Sequence, residues 1–248
     1  MTDTRLETQN LTKRFGKFVA VEGVDLQIAA GETRALIGPN GAGKTTFQNL
    51  ISGDLDVSDG SIIFEGTDIT DVPPYERARM GMIRKYQENH VYDSETVIEN
   101  MRMAARGDGL IRELIFREDD EAMESRIDEL LGIANLSEKR ETLVSQLSHG
   151  EQQWLEIVMC VLADPKLLVL DEPTSGMSVR ETNDTVDLLE KIKQTDDISL
   201  LVVEHDMEFI KKVSNSITVL HRGSIIAEGS IEEVQDDEQV RDVYLEGG

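Results

Sequence analysis

Apolar and polar residues alternate early in the chain: Val24, Leu26 and Ile28 are separated by single polar positions, the period of a strand buried on one face. Ala35-Leu36-Ile37 is a continuous apolar run that enters a glycine-rich turn, with a helix predicted from about Thr45. Ser61-Ile62-Ile63-Phe64-Glu65-Gly66 and Met82-Ile83-Arg84-Lys85-Tyr86 predict two further strands. Pro73-Pro74 breaks the chain ahead of a brief helix containing Tyr75 to Met80, because a proline ring fixes φ and removes a backbone donor.

From about Glu88 to Pro165 the pattern turns helical. Ala122, Met123, Ile127, Leu130 and Leu131 recur at spacings of three and four, one apolar face of a helix. Glu118, Asp119, Asp120, Glu121 and Glu124 then form its solvated face. Strands return after Pro165, in Leu167-Leu168-Val169-Leu170 and Ile198-Ser199-Leu200-Leu201-Val202-Val203, with a helix from Val179 to Thr195 between them. Strand–helix–strand alternation predicts a parallel sheet covered on both faces. There is no internal repeat or low-complexity segment. The pattern predicts one α/β domain over 1–248, with an antiparallel β subdomain. Its core takes 1–87 and 166–230, a helical subdomain over 88–165 is inserted, and 231–248 form a C-terminal tail.

With 248 residues the chain is long enough to bury a substantial core. Composition adds a constraint on partners. Asp plus Glu number 49 against 25 Lys plus Arg, a formal net charge of -24. Such a surface repels nucleic-acid phosphate and anionic headgroups, so no nucleic-acid partner is expected. The excess is spread along the chain rather than gathered in a tail. That favours adaptation to a high-salt cytosol over solubility alone, because salt screens carboxylates from one another. The one cysteine, Cys160, excludes an intrachain disulfide, and its apolar surroundings from Leu155 to Ala163 read as core. Met1-Thr2-Asp3-Thr4 has no basic, apolar leader character, and no apolar run approaches the roughly 20 residues of a membrane span. A soluble, cytoplasmic product is expected.

Two segments carry chemistry. Gly38-Pro39-Asn40-Gly41-Ala42-Gly43-Lys44-Thr45-Thr46 follows a strand and opens a helix, the pattern of a phosphate-binding loop. Its glycines let backbone N–H groups turn toward phosphate oxygens, and the helix adds its positive end. Lys44 is placed for the β and γ phosphates and Thr45 for a magnesium ion. Leu167-Leu168-Val169-Leu170-Asp171-Glu172 delivers two carboxylates to the carboxyl end of a strand, where open α/β sheets bind ligands. Asp171 would hold magnesium, and Glu172 would take a proton from an attacking water.

The order of Gly38 to Thr46, Gln87, Leu147-Ser148-His149-Gly150-Glu151, Leu167 to Glu172 and His205 resembles the ABC ATPases over essentially the whole chain. The resemblance implies a P-loop NTPase fold of ABC type that binds ATP and Mg2+. It implies that Gln87 contacts magnesium and reports to a membrane subunit, that His205 holds the γ phosphate and attacking water, and that Phe15 stacks on adenine. The alternatives are a surface glutamine, a strand-terminal histidine and a core phenylalanine. The signature departs from the family's Leu-Ser-Gly-Gly-Gln at His149 and Glu151, but keeps Ser148 and Gly150, which would grip the γ phosphate of an opposite subunit. A dimer of ATPase subunits, transmembrane permease subunits and, indirectly, a solute-binding protein are the implied partners. The implied location is the inner face of the cell membrane.

Met82 to Gln87, Gly176-Met177-Ser178, Val203 to Met207 and Val243-Tyr244-Leu245 look like the branched-chain amino-acid importer ATPases. Within that group, His149 and Gln153-Trp154-Leu155-Glu156-Ile157 look closest to the urea-importer ATPase, so urea or a related small amide is the expected solute. A branched-chain amino acid is the alternative, and Trp154 fits a core role equally well. An ABC ATPase of DNA maintenance would carry long heptad coiled coils between Lys44 and Asp171, which are missing here. A ribosome-acting factor would carry two cassettes, and a small-molecule kinase would lack the Leu-Ser-x-Gly signature.

Overall fold

A computed structural model describes residues 4–85, 91–106 and 120–246. In chain order, its elements begin with β1 (Thr4–Phe15), β2 (Phe18–Ala29), β3 (Thr33–Ile37), α1 (Lys44–Ser52), β4 (Asp59–Phe64) and β5 (Thr67–Asp68). Then come α2 (Pro74–Arg79), β6 (Met82–Lys85), α3 (Val97–Arg106), α4 (Asp120–Ile133), α5 (His149–Val161) and β7 (Leu167–Asp171). The chain closes with α6 (Val179–Thr195), β8 (Ser199–Val203), α7 (Met207–Val213), β9 (Ser216–His221), β10 (Ser224–Gly229), α8 (Ile231–Asp236) and α9 (Glu238–Glu246).

The described residues fall into two compact units. One takes those of Met1–Arg84, Lys166–Glu172 and Asp197–Gly248; the other takes those of Lys85–Pro165 and Pro173–Asp196. α6 therefore belongs with the helical unit, whereas strand–helix–strand alternation alone assigns it to the α/β core.

The first unit holds an antiparallel sheet in the order β2-β1-β4-β5 and a six-stranded sheet in the order β10-β9-β3-β8-β7-β6. β2 shows the expected alternation, with Val24, Leu26 and Ile28 buried and Asp25 and Gln27 exposed. β4 ends at Phe64, two residues before the expected Gly66, because Glu65 and Gly66 take left-handed φ of 50° and 73° and turn the chain into β5. β7 and β8 are buried at every position, as parallel strands covered on both faces must be. The antiparallel β9–β10 hairpin, not among the predicted elements, caps one edge of this sheet. Arg77 is buried where α1 ends, donating to the Leu50 carbonyl at 2.7 Å and the Ile51 carbonyl at 2.8 Å. It thus satisfies orphan carbonyls and complements the negative end of the helix.

In the helical unit, Ile127, Leu130 and Leu131 of α4 are buried, while Ala122 at its start is exposed. Helix α5 opens on a capping box: Glu151 N–H donates to Ser148 Oγ at 3.3 Å and Ser148 N–H donates to Glu151 Oε2 at 3.0 Å. Ser178 and Glu181 repeat this device at α6. Trp154 Nε1 donates to Thr185 Oγ1 at 2.8 Å, giving the indole its buried partner. Lys85 and Glu156 form an ion pair at 2.8 Å with side chains only 4% and 5% exposed. Cys160, expected in the core, is half-buried; burial pushes its thiol up to about 12, so it stays protonated at neutral pH.

Candidate nucleotide-binding site

Strand register gathers the chemistry. β8 lies between β3 and β7 and is parallel to both, so Leu36 and Asp171 each pair with Val203. Three chain segments far apart in sequence therefore leave the sheet together at the carboxyl ends of its inner strands: the loop from Gly38, the carboxylate Glu172, and His205.

The loop holds its glycines in conformations that other residues rarely adopt. Gly38, Gly41 and Gly43 take φ of 151°, 78° and 107°, all in the left-handed region. A Cβ on Gly38 would lie 2.1 Å from the Leu220 carbonyl oxygen, and one on Gly43 would lie 2.6 Å from that of Ala20. A Cβ on Gly41 would meet nothing within 4 Å, so only backbone conformation selects glycine there. The N-cap of α1 is Gly43 itself, no side chain caps the helix, and its first turn holds no acidic residue. An uncapped, uncontested helix N-terminus suits phosphate oxygens. Pro39, Asn40 and Ala42 complete the turn, with Ala42 N–H donating to the Pro39 carbonyl at 3.1 Å.

Lys44 folds back over its own loop, its ammonium donating to the carbonyls of Gly38 at 2.6 Å and Pro39 at 3.2 Å. Burial lowers its pKa, while the nearby Glu172 and Asp171 carboxylates act to raise it. Thr45 and Thr46 follow in the first turn of α1.

Asp171 is the buried last residue of β7, and Glu172 stands beyond it with a left-handed φ of 46°. Glu172 N–H donates to the Val203 carbonyl at 2.8 Å, which ties the turn to β8. This conformation is costly for a side chain other than glycine, and such strain gathers at functional positions. Glu172 Oε1 lies 3.9 Å from His205 Nδ1, and the buried Glu204 Oε2 lies 3.4 Å from the same nitrogen. Glu204 Oε2 also accepts from the His205 N–H at 2.8 Å, fixing the backbone under an imidazole whose side chain is 73% exposed.

Sequence reasoning missed Arg84. Its guanidinium donates to Asn49 Oδ1 of α1 at 2.5 Å and to Asp171 Oδ2 at 3.4 Å, linking the helix after the loop to the strand-end carboxylate. A lone arginine in a short strand carries no local signal of that reach.

Phe15 ends β1 and is 47% exposed, with the Lys13 ammonium 5.3 Å from its ring centroid. It is not a core phenylalanine: its ring is partly exposed, with the Lys13 ammonium over one face. Gln87 lies outside the described residues. In the helical unit, Ser148 is exposed at the start of α5 and Gly150 is buried. A Cβ on Gly150 would lie 2.8 Å from Glu181 Oε1, so a larger residue there would have to displace the Glu181 side chain. His149 Nε2 lies 3.1 Å from the Ser175 carbonyl oxygen.

Parallel inner strands that deliver a glycine loop, a strand-end Asp-Glu pair and a histidine to their carboxyl ends define a phosphate-loop nucleotide-binding protein. Residues 21–175 match the ABC transporter family, and the chain belongs to that family as one of its ATPases. It is 34% identical over 248 residues to the high-affinity branched-chain amino acid transport ATP-binding protein BraF of Pseudomonas aeruginosa, covering 97% of each chain. It is 35% identical over 250 residues to the probable branched-chain amino acid transport ATP-binding protein LivG of Archaeoglobus fulgidus, covering 97% of this chain and 95% of that one. Its fold superposes with a TM-score of 0.86 on the crystal structure of the ADP conformation of an ATP-binding cassette of an ABC transporter, at 30% identity and 98% coverage of both chains. Among the described residues, no helix is long and apolar enough to cross a membrane.

Proposed function

We propose that this ATPase powers the import of branched-chain amino acids, working as a dimer on the cytoplasmic side of transmembrane permease subunits fed by a solute-binding protein. The observation that carries the solute class is the full-length similarity to two transport ATP-binding proteins whose names specify branched-chain amino acids. Those relatives favour this reading over urea.

In the proposed reaction the loop from Gly38 to Thr46 cradles the phosphates of ATP, Lys44 leaves its carbonyl partners for the β and γ oxygens, and Phe15 stacks on adenine. Glu172 accepts the proton of the attacking water, and His205 beside it orients the γ phosphate. Thr45, Asp171 and Gln87 would hold Mg2+, which when bound neutralises phosphate charge. The uncapped helix and the two carboxylates facing Lys44 fit that assignment. Ser148 and the Gly150 amide of one subunit close on the γ phosphate held by the other, so ATP draws two subunits together and hydrolysis releases them.

A second reading, a urea importer, rests on His149 and the Gln153 to Ile157 run. These residues lie in the signature turn and helix, remote in role from solute selection. Reconstitution in liposomes with the genomically neighbouring permease and binding protein separates the two. Leucine-loaded binding protein is expected to stimulate hydrolysis. Stimulation by urea-loaded and not leucine-loaded protein would overturn the solute assignment and leave the ATPase assignment standing.

A further inference from the structure

The signature serine already donates its proton within its own chain. Ser148 Oγ donates to Glu181 Oε1 at 3.3 Å. The other oxygen of that carboxylate is anchored on its own helix, accepting from Ser178 N–H at 2.9 Å and Ser178 Oγ at 2.7 Å. The Ser178 backbone bond, foremost, and the Ser178 hydroxyl hold the Glu181 carboxyl below its ordinary range. It is therefore an anion at neutral pH, and an ionised carboxylate only accepts. The same Oε1 stands against Gly150, where a Cβ would come within 2.8 Å of it. Glu181 thus presents negative charge to both groups that, in the dimer proposed above, receive the γ phosphate.

A hydroxyl has one proton. Ser148 Oγ also accepts from Glu151 N–H at 3.3 Å, so its acceptor side is turned to its own helix and its single donor to Glu181. To serve a phosphate oxygen, that donor must leave the carboxylate. We infer that Glu181 competes with the γ phosphate of the opposing subunit for the Ser148 proton, and so sets the ATP concentration at which two subunits close. The inference rests on the composite-site reading of Ser148. Glu181 is a governor of closure and takes no part in bond breaking.

Glu181→Gln is the discriminating change, since glutamine at the third helical position keeps the capping box while removing the charge. Each variant is made in a Glu172→Gln chain, which binds without turnover, and ATP-dependent dimerisation is followed by size-exclusion chromatography with light scattering. Glu181→Gln should lower the ATP concentration for half-maximal dimerisation by about three- to fivefold, the scale of an exposed charge interaction. With Ser148→Ala also present, the shift should shrink to less than about twofold, because the contested proton is gone. An unchanged or raised midpoint in Glu181→Gln overturns the inference, as does an undiminished shift in the Ser148→Ala background. If the Glu172→Gln chain alone forms no ATP-dependent dimer, the composite-site reading fails first and takes this inference with it.

Discussion

Glu172 Oε1 and His205 Nδ1 lie 3.9 Å apart although the chain runs through a helix and a strand between them. The pairing of β7 with β8 creates that meeting, for Asp171 is in register with Val203 and each side chain follows shortly after its strand ends. Glu204 holds the histidine from beneath, so the pair is set by backbone geometry before any nucleotide arrives.

Glu172→Gln keeps size and polarity but removes the proton acceptor. Turnover should fall about 10²- to 10⁴-fold, the usual worth of a positioned general base, with nucleotide affinity unchanged within about twofold. Steady-state hydrolysis beside a binding titration measures both. Near-normal turnover would remove Glu172 from the role of base.

The loop glycines should separate by cause. Gly41→Ala meets open space and pays only for a left-handed backbone, about 1–2 kcal/mol. Gly38→Ala drives a methyl into the Leu220 carbonyl as well, and should cost at least ~2 kcal/mol more. Urea unfolding midpoints compare the two. Equal losses would mean the loop moves aside freely, and that steric fit does not select glycine at 38.

The buried Lys85–Glu156 pair predicts strong non-additivity. Lys85→Met leaves a carboxylate without its counter-charge and should destabilise by roughly 3–5 kcal/mol, whereas Lys85→Met with Glu156→Leu should be near neutral. Chemical denaturation of both variants decides the matter. An equally large loss in the double variant would show that packing, not charge, is at stake.

The acidic excess should make stability rise with salt. A net charge of -24 is self-repelling, and the Debye length contracts from about 10 Å at 0.1 M to about 3 Å at 1 M. Circular dichroism melts across a KCl series should show a steadily rising midpoint. A flat series would mean the carboxylates are already compensated, as Glu124 is by Arg102 at 2.6 Å and Arg140 at 2.7 Å.

Features written in consecutive residues were legible without coordinates. Alternation marked β2, continuous apolar runs marked β3, β7 and β8, and spacing of glycines and lysine marked the phosphate loop, because each records how neighbouring positions meet solvent or ligand. The Asp171-Glu172 pair was visible for the same reason, since it terminates an apolar run, whereas His205, set beyond Glu204, was singled out only by the family resemblance. Periodicity does not say which strand lies beside which. That β8 sits between β3 and β7, that β9 and β10 close the sheet edge, and that α6 belongs with the helical unit follow from long-range packing. So do the bond from Arg84 to Asp171 and the hold of Glu181 on Ser148. A hydrogen bond needs two atoms at one place, and a single residue in a sequence carries no record of the partner that folding brings to it.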